Sequence, residues 1–174
     1  MERAEISWKT ADEAVPIQAS FEEFFEGEQE RLLRVLWIVT GSLHEAEDIV
    51  QDAFLRVWER WPEVSVMESP VGYLHRAAMN LFRNRYRRAA LALRKVVGVT
   101  PPPDALDSVE DRLAVSKALG SLTPRQRAAL VLTELWGYNA AEAGRMLGVR
   151  GSTIRSLSSA GRIALRNAKE LEDD

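Results

Sequence analysis

Two histidines and no cysteine leave little in this 174-residue chain for nucleophilic or metal chemistry. Without cysteine there is no thiolate nucleophile, no sulfur ligand and no disulfide. His44 and Glu47 lie three residues apart, but carboxylate-bridged metal bundles use Glu-x-x-His on two helices. Here the order is reversed, and His75 has only Gly72 and Ala78 at that spacing, so no metal is expected. No glycine-rich phosphate loop or carboxylate pair in an evident cleft is present, so neither enzyme chemistry nor a cofactor is expected. The side chains that can do chemistry are instead arranged for binding. Arg76, Asn80, Arg83 and Arg87 recur at spacings of four, three and four, giving one helical ridge of guanidinium groups and an amide. Such a ridge suits phosphates and a base edge. Arg88 extends it.

The net charge of −3 conceals a segregated distribution. Residues 1–30 carry nine acids and two bases, and Leu43–Glu68 seven acids and two bases. Arg83–Lys95 then holds six bases and no acid, and Pro124–Lys169 eight bases against two acids. Counterion release depends on the contacted face rather than the average charge, so two basic patches on an acidic chain suit two nucleic-acid contacts and a protein partner elsewhere.

The elements that must position these residues all read as helices. Ser20 with Glu23 forms a capping box before an apolar pattern through Trp37, one or two helices with Gly27 as punctuation and a break at Gly41-Ser42. The spacing predicts a helix over His44–Arg60 with Ala46, Ile49, Val50, Ala53, Phe54, Val57 and Trp61 on one stripe, ended by Trp61-Pro62. A loop Pro62–Ser69 follows, and Ser69-Pro70 opens a helix to Arg88. Pro101-Pro102-Pro103 makes a stiff spacer. Beyond an acidic helix near Ser108–Ser121, helices are expected over Pro124–Trp136, Asn139–Leu147 and from a Ser152 cap to about Lys169, with Gly137 and Gly148 as turns. No alternating strand pattern persists. The chain therefore reads as all-α, two small helical domains joined by a Pro-rich linker: extension 1–19, first domain 20–95, linker 96–107, second domain 108–170. Residues 1–19 are read as mobile, and the tail Glu170–Asp174 as frayed. The start M-E-R-A-E-I-S-W lacks the apolar run of a signal peptide, and no stretch reaches the ~18 apolar residues of a membrane span, so a cytoplasmic protein without membrane insertion is expected.

Two segments carry a family resemblance. His44-Glu45-Ala46-Glu47-Asp48-Ile49-Val50-Gln51-Asp52-Ala53-Phe54 resembles the region-two motif of extracytoplasmic-function (ECF) RNA polymerase sigma factors, and Tyr73–Arg88 resembles their promoter-melting helix. Leu122–Leu157, with L-T-P-R-Q-R and G-V-R-G-S-T-I-R-S, is similar to their region four. Around Gly148 the helix-turn-helix pattern is filled by Gly144, Leu147, Val149, Ile154 and Leu157, a small residue at the crossing and apolar plugs around it. The resemblance implies a bacterial transcription initiation factor that binds core RNA polymerase and directs it to promoter DNA. It implies core contacts from Glu45, Glu47, Asp48, Gln51, Asp52 and Arg56, and minus-ten contacts from Arg76, Asn80, Arg83, Arg87 and Arg88. It implies minus-thirty-five contacts from Arg150, Ser152, Thr153, Arg155, Ser156, Ser159 and Arg162. An anti-sigma factor is a further partner of many members.

The chain departs from the family at four places. Tyr73 replaces a tryptophan and Asn84 an aspartate. Leu157 and Ala160 stand where arginines are common, and Gly161 carries a helix-propensity cost of roughly 1 kcal/mol. Tyr73 bears on the details of base capture, whereas Leu157, Ala160 and Gly161 predict weakened or altered reading of the upstream element. Leu157 and Ala160 motivate a second reading, a sigma-like module that binds proteins only, and a third, a stand-alone helix-turn-helix regulator, leaves the acidic region-two motif unexplained.

Overall fold

The computed structural model describes residues 20–95 and 119–170. The readings on 1–19, on the proline spacer and most of the acidic helix near Ser108, and on the C-terminal tail after Glu170 fall outside them. Among the described residues every regular element is helical.

Helix α1 (Phe21–Thr40) starts on the capping box: Glu23 N donates to Ser20 Oγ at 3.1 Å and Ser20 N to Glu23 Oε2 at 3.2 Å. It is a single helix passing straight through Gly27 and stopping where Gly41 turns left-handed at φ 77°. Ser42 caps α2 (Leu43–Glu59), which buries Ala46, Ile49, Ala53, Phe54 and Val57 as the stripe requires. The expected loop after α2 begins instead with a short helix, α3 (Trp61–Val64). Helix α2 does stop, at Glu59, but not through the pre-proline restriction, since Trp61, the residue before Pro62, is itself the first residue of α3. Proline is welcome in a first helical turn, so the chain restarts at once. Ser69 Oγ then accepts from Gly72 N at 3.0 Å to open α4 (Pro70–Lys95), which outruns the expected end at Arg88.

Helix α5 (Pro124–Leu130) carries a capping box of Thr123 with Gln126. The expected continuation to Trp136 is a π-turn over Val131–Leu135, closed by Trp136 N donating to Val131 O at 2.9 Å. Two local bonds accompany the widening. Thr133 Oγ1 donates back to Ala129 O at 2.9 Å, and Leu132 O receives Tyr138 N at 2.9 Å. After Gly137 (φ 71°), the Asn139–Glu142 capping box opens α6 (Ala140–Leu147). Gly148 at φ 68° makes the turn to α7 (Gly151–Glu170). Helix α7 starts one residue before the expected cap, so Ser152 lies inside its first turn rather than capping it. The N–H groups of Thr153 and Ile154 are instead taken by Arg150 O.

Helices α1, α2 and α4 enclose Leu36, Ile49, Leu74 and Met79, while the helix-turn-helix group encloses Leu132 and Ile154, all at most 1% exposed. Each such burial contributes roughly 1.5–3 kcal/mol. The two groups touch each other, α1 against α5 and α4 against α6.

Gly144 shows how tight the helix-turn-helix crossing is. A Cβ there would sit 2.7 Å from the carbonyl oxygen of Val149, whereas one on Gly27 would meet nothing within 4 Å. Gly144→Ala should therefore destabilise the fold by about 1–3 kcal/mol, because a backbone oxygen cannot rotate away. Gly27→Ala should stabilise it by about 0.5–1 kcal/mol. Urea titration of the two variants checks the opposite signs.

Candidate nucleic-acid and partner interfaces

On α2, Glu45, Glu47, Gln51 and Arg56 are exposed. Asp48 and Asp52 are not free acids facing outward, as their sequence positions suggest. One turn apart, they share the guanidinium of Arg85 on α4, at 3.1 and 2.9 Å. The clamp ties α2 to the basic helix, and the second carboxylate oxygen of each residue makes no bond to Arg85. The helix also presents apolar groups that the sequence reading passed over. Leu55 is 50% and Trp58 58% exposed, one and two turns beyond Gln51. Their signal was available, since both fall off the stripe that packs inward. An exposed tryptophan beside carboxylates is an interface feature rather than a core one.

On α4, Arg76, Arg87 and Arg88 are exposed, while Asn80 and Arg83 are half-buried. The ridge exists as spaced, but it faces the helix-turn-helix group. Arg76 and Asn80 border a cleft with Tyr138, Glu142, Arg145 and Met146. Arg83 and Arg87 line a small cavity with Tyr86, Arg125, Leu147, Val149 and Leu157. Tyr73, in the tryptophan's place, is half-buried, with the Arg60 guanidinium 5.8 Å from its ring centroid. Asn84 is exposed.

On the helix-turn-helix, Arg150, Ser152, Thr153, Arg155, Ser156 and Ser159 are all exposed along one face. Arg162 is exposed too, but it pairs with Glu134 at 2.6 Å. The inward side is as spaced, with Ile154 and Gly161 buried, and it also takes in Ser158, whose hydroxyl lies 3.4 Å from that of Thr133. Gly161 now has a reason: a Cβ there would come within 2.9 Å of Leu130 Cδ1. The helix accepts a poor former so that α7 can lie close on α5. Arg155 is thus the arginine of α7's first two turns that stands exposed without a drawn-in carboxylate.

His75 is no ligand. Its ring stacks on Trp136, centroids 3.6 Å apart and 3° from parallel, with Nδ1 3.1 Å from the Tyr138 hydroxyl. Burial, helped by the charge of Arg31, lowers its pKa to about 4 from an ordinary 6.5. The neutral ring is therefore the form that folds. Nothing is lost above about pH 6.5, stability falls as pH drops from 6.5 towards 4, and the loss then levels off. The shift corresponds to at most about 3 kcal/mol. His75→Phe should be less sensitive over that window, which chemical denaturation of both chains at pH 7 and pH 4.5 measures.

Among the described residues the chain thus combines an acidic helix, a basic helix and a helix-turn-helix. The family model described as Sigma-70 region 2 matches residues 24–91, and that described as Sigma-70, region 4 matches residues 118–167. The ECF RNA polymerase sigma factor SigM of Mycobacterium tuberculosis is 31% identical over 147 residues, covering 84% of this chain and 75% of that protein. SigE of Mycolicibacterium smegmatis is 34% identical over 168 residues, covering 91% of this chain and 64% of that protein. Among solved structures, the sigma factor RpoE in complex with the anti-sigma factor NepR from Bartonella quintana matches with a TM-score of 0.64 at 22% identity, covering 86% of this chain and 96% of that one. The chain belongs to the sigma-70 family, among the ECF RNA polymerase sigma factors. No helix among its described residues is long and apolar enough to cross a membrane.

Proposed function

We propose that this chain is a bacterial transcription initiation factor that docks on core RNA polymerase through the outer face of α2, opens promoters with α4 and reads the upstream element with α7. The observation that carries this reading is the occurrence of both family regions in order along the chain, at residues 24–91 and 118–167. The work divides over a docking and melting unit at 20–95 and an upstream-reading unit at 108–170, joined by the linker 96–107. On α2, Gln51, Leu55 and Trp58 would supply contact area, while Glu45, Glu47 and the free oxygens of Asp48 and Asp52 meet basic groups on the polymerase. On α4, Arg76, Arg83, Arg87 and Arg88 neutralise phosphates, and Asn80 offers an amide to a base edge. On α7, Arg155 enters the major groove, with Arg150, Ser152, Thr153, Ser156 and Ser159 along the backbone.

The chain itself makes and breaks no bonds, since the polymerase carries the catalysis, and it works in the cytoplasm. An anti-sigma factor is the regulatory partner that the resemblance to the RpoE–NepR complex suggests. Run-off transcription with core polymerase on a library of genomic fragments tests the proposal. Discrete transcripts that require the chain support it, and transcription unchanged by the chain refutes it.

A further inference from the structure

The stripe of α2 that carries Glu45, Asp48 and Asp52 runs further than those three acids. Spacings of three and four continue it through Leu55 to Glu59, the last residue of the helix. There it meets a groove between the start of α1 and the end of α2, whose lining includes Phe21, Glu22, Trp58, Glu59, Trp61 and Pro62. One wall of the groove is held by aromatic packing. The Trp61 ring lies 5.6 Å from that of Phe21 and 5.2 Å from that of Phe24. The short helix α3 begins on this tryptophan and leaves Pro62 exposed. Trp58 is 58% exposed, so its indole is available to a partner.

The groove is negative as well as aromatic. Glu22 and Glu59 are both exposed, and neither has an ion pair among the described residues. The neighbouring cation, Arg60, is engaged elsewhere, by Glu63 and over the Tyr73 ring. Glu59 lies in the last turn of α2, where the helix's own partial charge is negative, so a carboxylate without a counter-charge is disfavoured there. A cation from outside the chain removes that repulsion. Indoles offer the best aromatic faces for a cation, and the methylene stem of an arginine or lysine packs on the same rings.

We infer that this groove receives an arginine or lysine side chain of the core polymerase surface that α2 engages, its stem along Trp58 and Trp61 and its charge beside Glu22 and Glu59. The inference rests on the reading of α2 as the docking helix, and it gives that helix a register. Acids at positions 45, 48 and 52 recur at about one-turn spacing, so a basic partner shifted by one turn (~5.4 Å) still finds carboxylates. A concave site at one end of the stripe removes that freedom.

Biolayer interferometry against immobilised core reads the site. Glu59→Gln should lower the affinity about tenfold, the loss expected for one partly desolvated cation held by a carboxylate and an indole face. The same change should raise the urea midpoint of the chain slightly, because the like charge at the helix end is gone. A merely structural Glu59 would move both quantities in the same direction. Glu22→Gln should also weaken binding, whereas Glu26→Gln, one turn along α1 and outside the groove, should change it by less than about twofold. An unchanged affinity for Glu59→Gln overturns the site, and so do equal losses from Glu59→Gln and Glu26→Gln. A second measurement needs no polymerase. The peptide acetyl-Leu-Arg-Leu-Arg-amide should shift the indole N–H resonances of Trp58 and Trp61, among the five tryptophans, in the parent chain and not in the Glu22→Gln, Glu59→Gln double variant. No shift, or equal shifts with acetyl-Leu-Gln-Leu-Gln-amide, overturns the cation site. Shifts that grow with chain concentration alone show a second copy in the groove and overturn it too. Failure of the parent chain to bind core, with the peptide shifts present, sinks the functional reading and leaves the cation groove standing.

Discussion

Replacing Leu55 and Trp58 together by alanine should weaken binding to core RNA polymerase by at least about thirtyfold. Both side chains are half or more exposed and lie outside the core of the chain's own fold. Their removal should therefore change folding stability by no more than about 0.5 kcal/mol. At an interface centre, truncation of a tryptophan typically costs about 2 kcal/mol or more, which is the thirtyfold stated. Charge reversal at Asp48 and Asp52 is the more obvious experiment but a poorer one. It would also break the Arg85 clamp, so lost binding could come from a displaced α2 as easily as from a lost contact. Biolayer interferometry against immobilised core, alongside a urea melt of the double variant, separates affinity from folding. Unchanged affinity would move the docking face elsewhere on the chain.

The second large effect falls on α7. Arg155→Ala should reduce transcription from a promoter bearing the upstream element by about 5- to 150-fold, corresponding to ~1–3 kcal/mol for one arginine–base contact. Arg162→Ala should cost less, because Arg162 already spends its charge on Glu134 at 2.6 Å. Glu134→Ala releases that guanidinium and should recover part of the upstream reading that the leucine at 157 and the alanine at 160 give up. Run-off yields from matched templates with and without the upstream element measure all three. An Arg155→Ala chain as active as the parent on the upstream-bearing template would remove Arg155 from the DNA contact set.

What could be read from the residues was local. Ser20 with Glu23 and Asn139 with Glu142 mark helix starts because cap chemistry involves residues three apart. Gly148 marks a turn because its φ of 68° suits glycine. The spacing of the α2 stripe gave its buried face, and helical spacing without persisting strand alternation gave the fold class. What escaped depends on partners distant in sequence. No pattern within α2 announces that Arg85, on another helix, will hold Asp48 and Asp52. The purpose of Gly161 appears only when Leu130 is found against it. The π-turn at Val131–Leu135 has no periodicity signal of its own, and the stack of His75 on Trp136 joins residues on different helical groups. The short α3 is a different kind of miss, since a proline that reads as a helix stop also suits the first turn of a new helix, where Pro62 lies.

The most direct test of the account is whether the purified parent chain co-elutes with bacterial core RNA polymerase on gel filtration. The account predicts a stoichiometric complex that survives the column and that the Leu55→Ala, Trp58→Ala double variant does not form. Separate elution of a folded parent chain and core, with no shared fraction, would contradict it and leave a DNA-binding regulator that works without the polymerase.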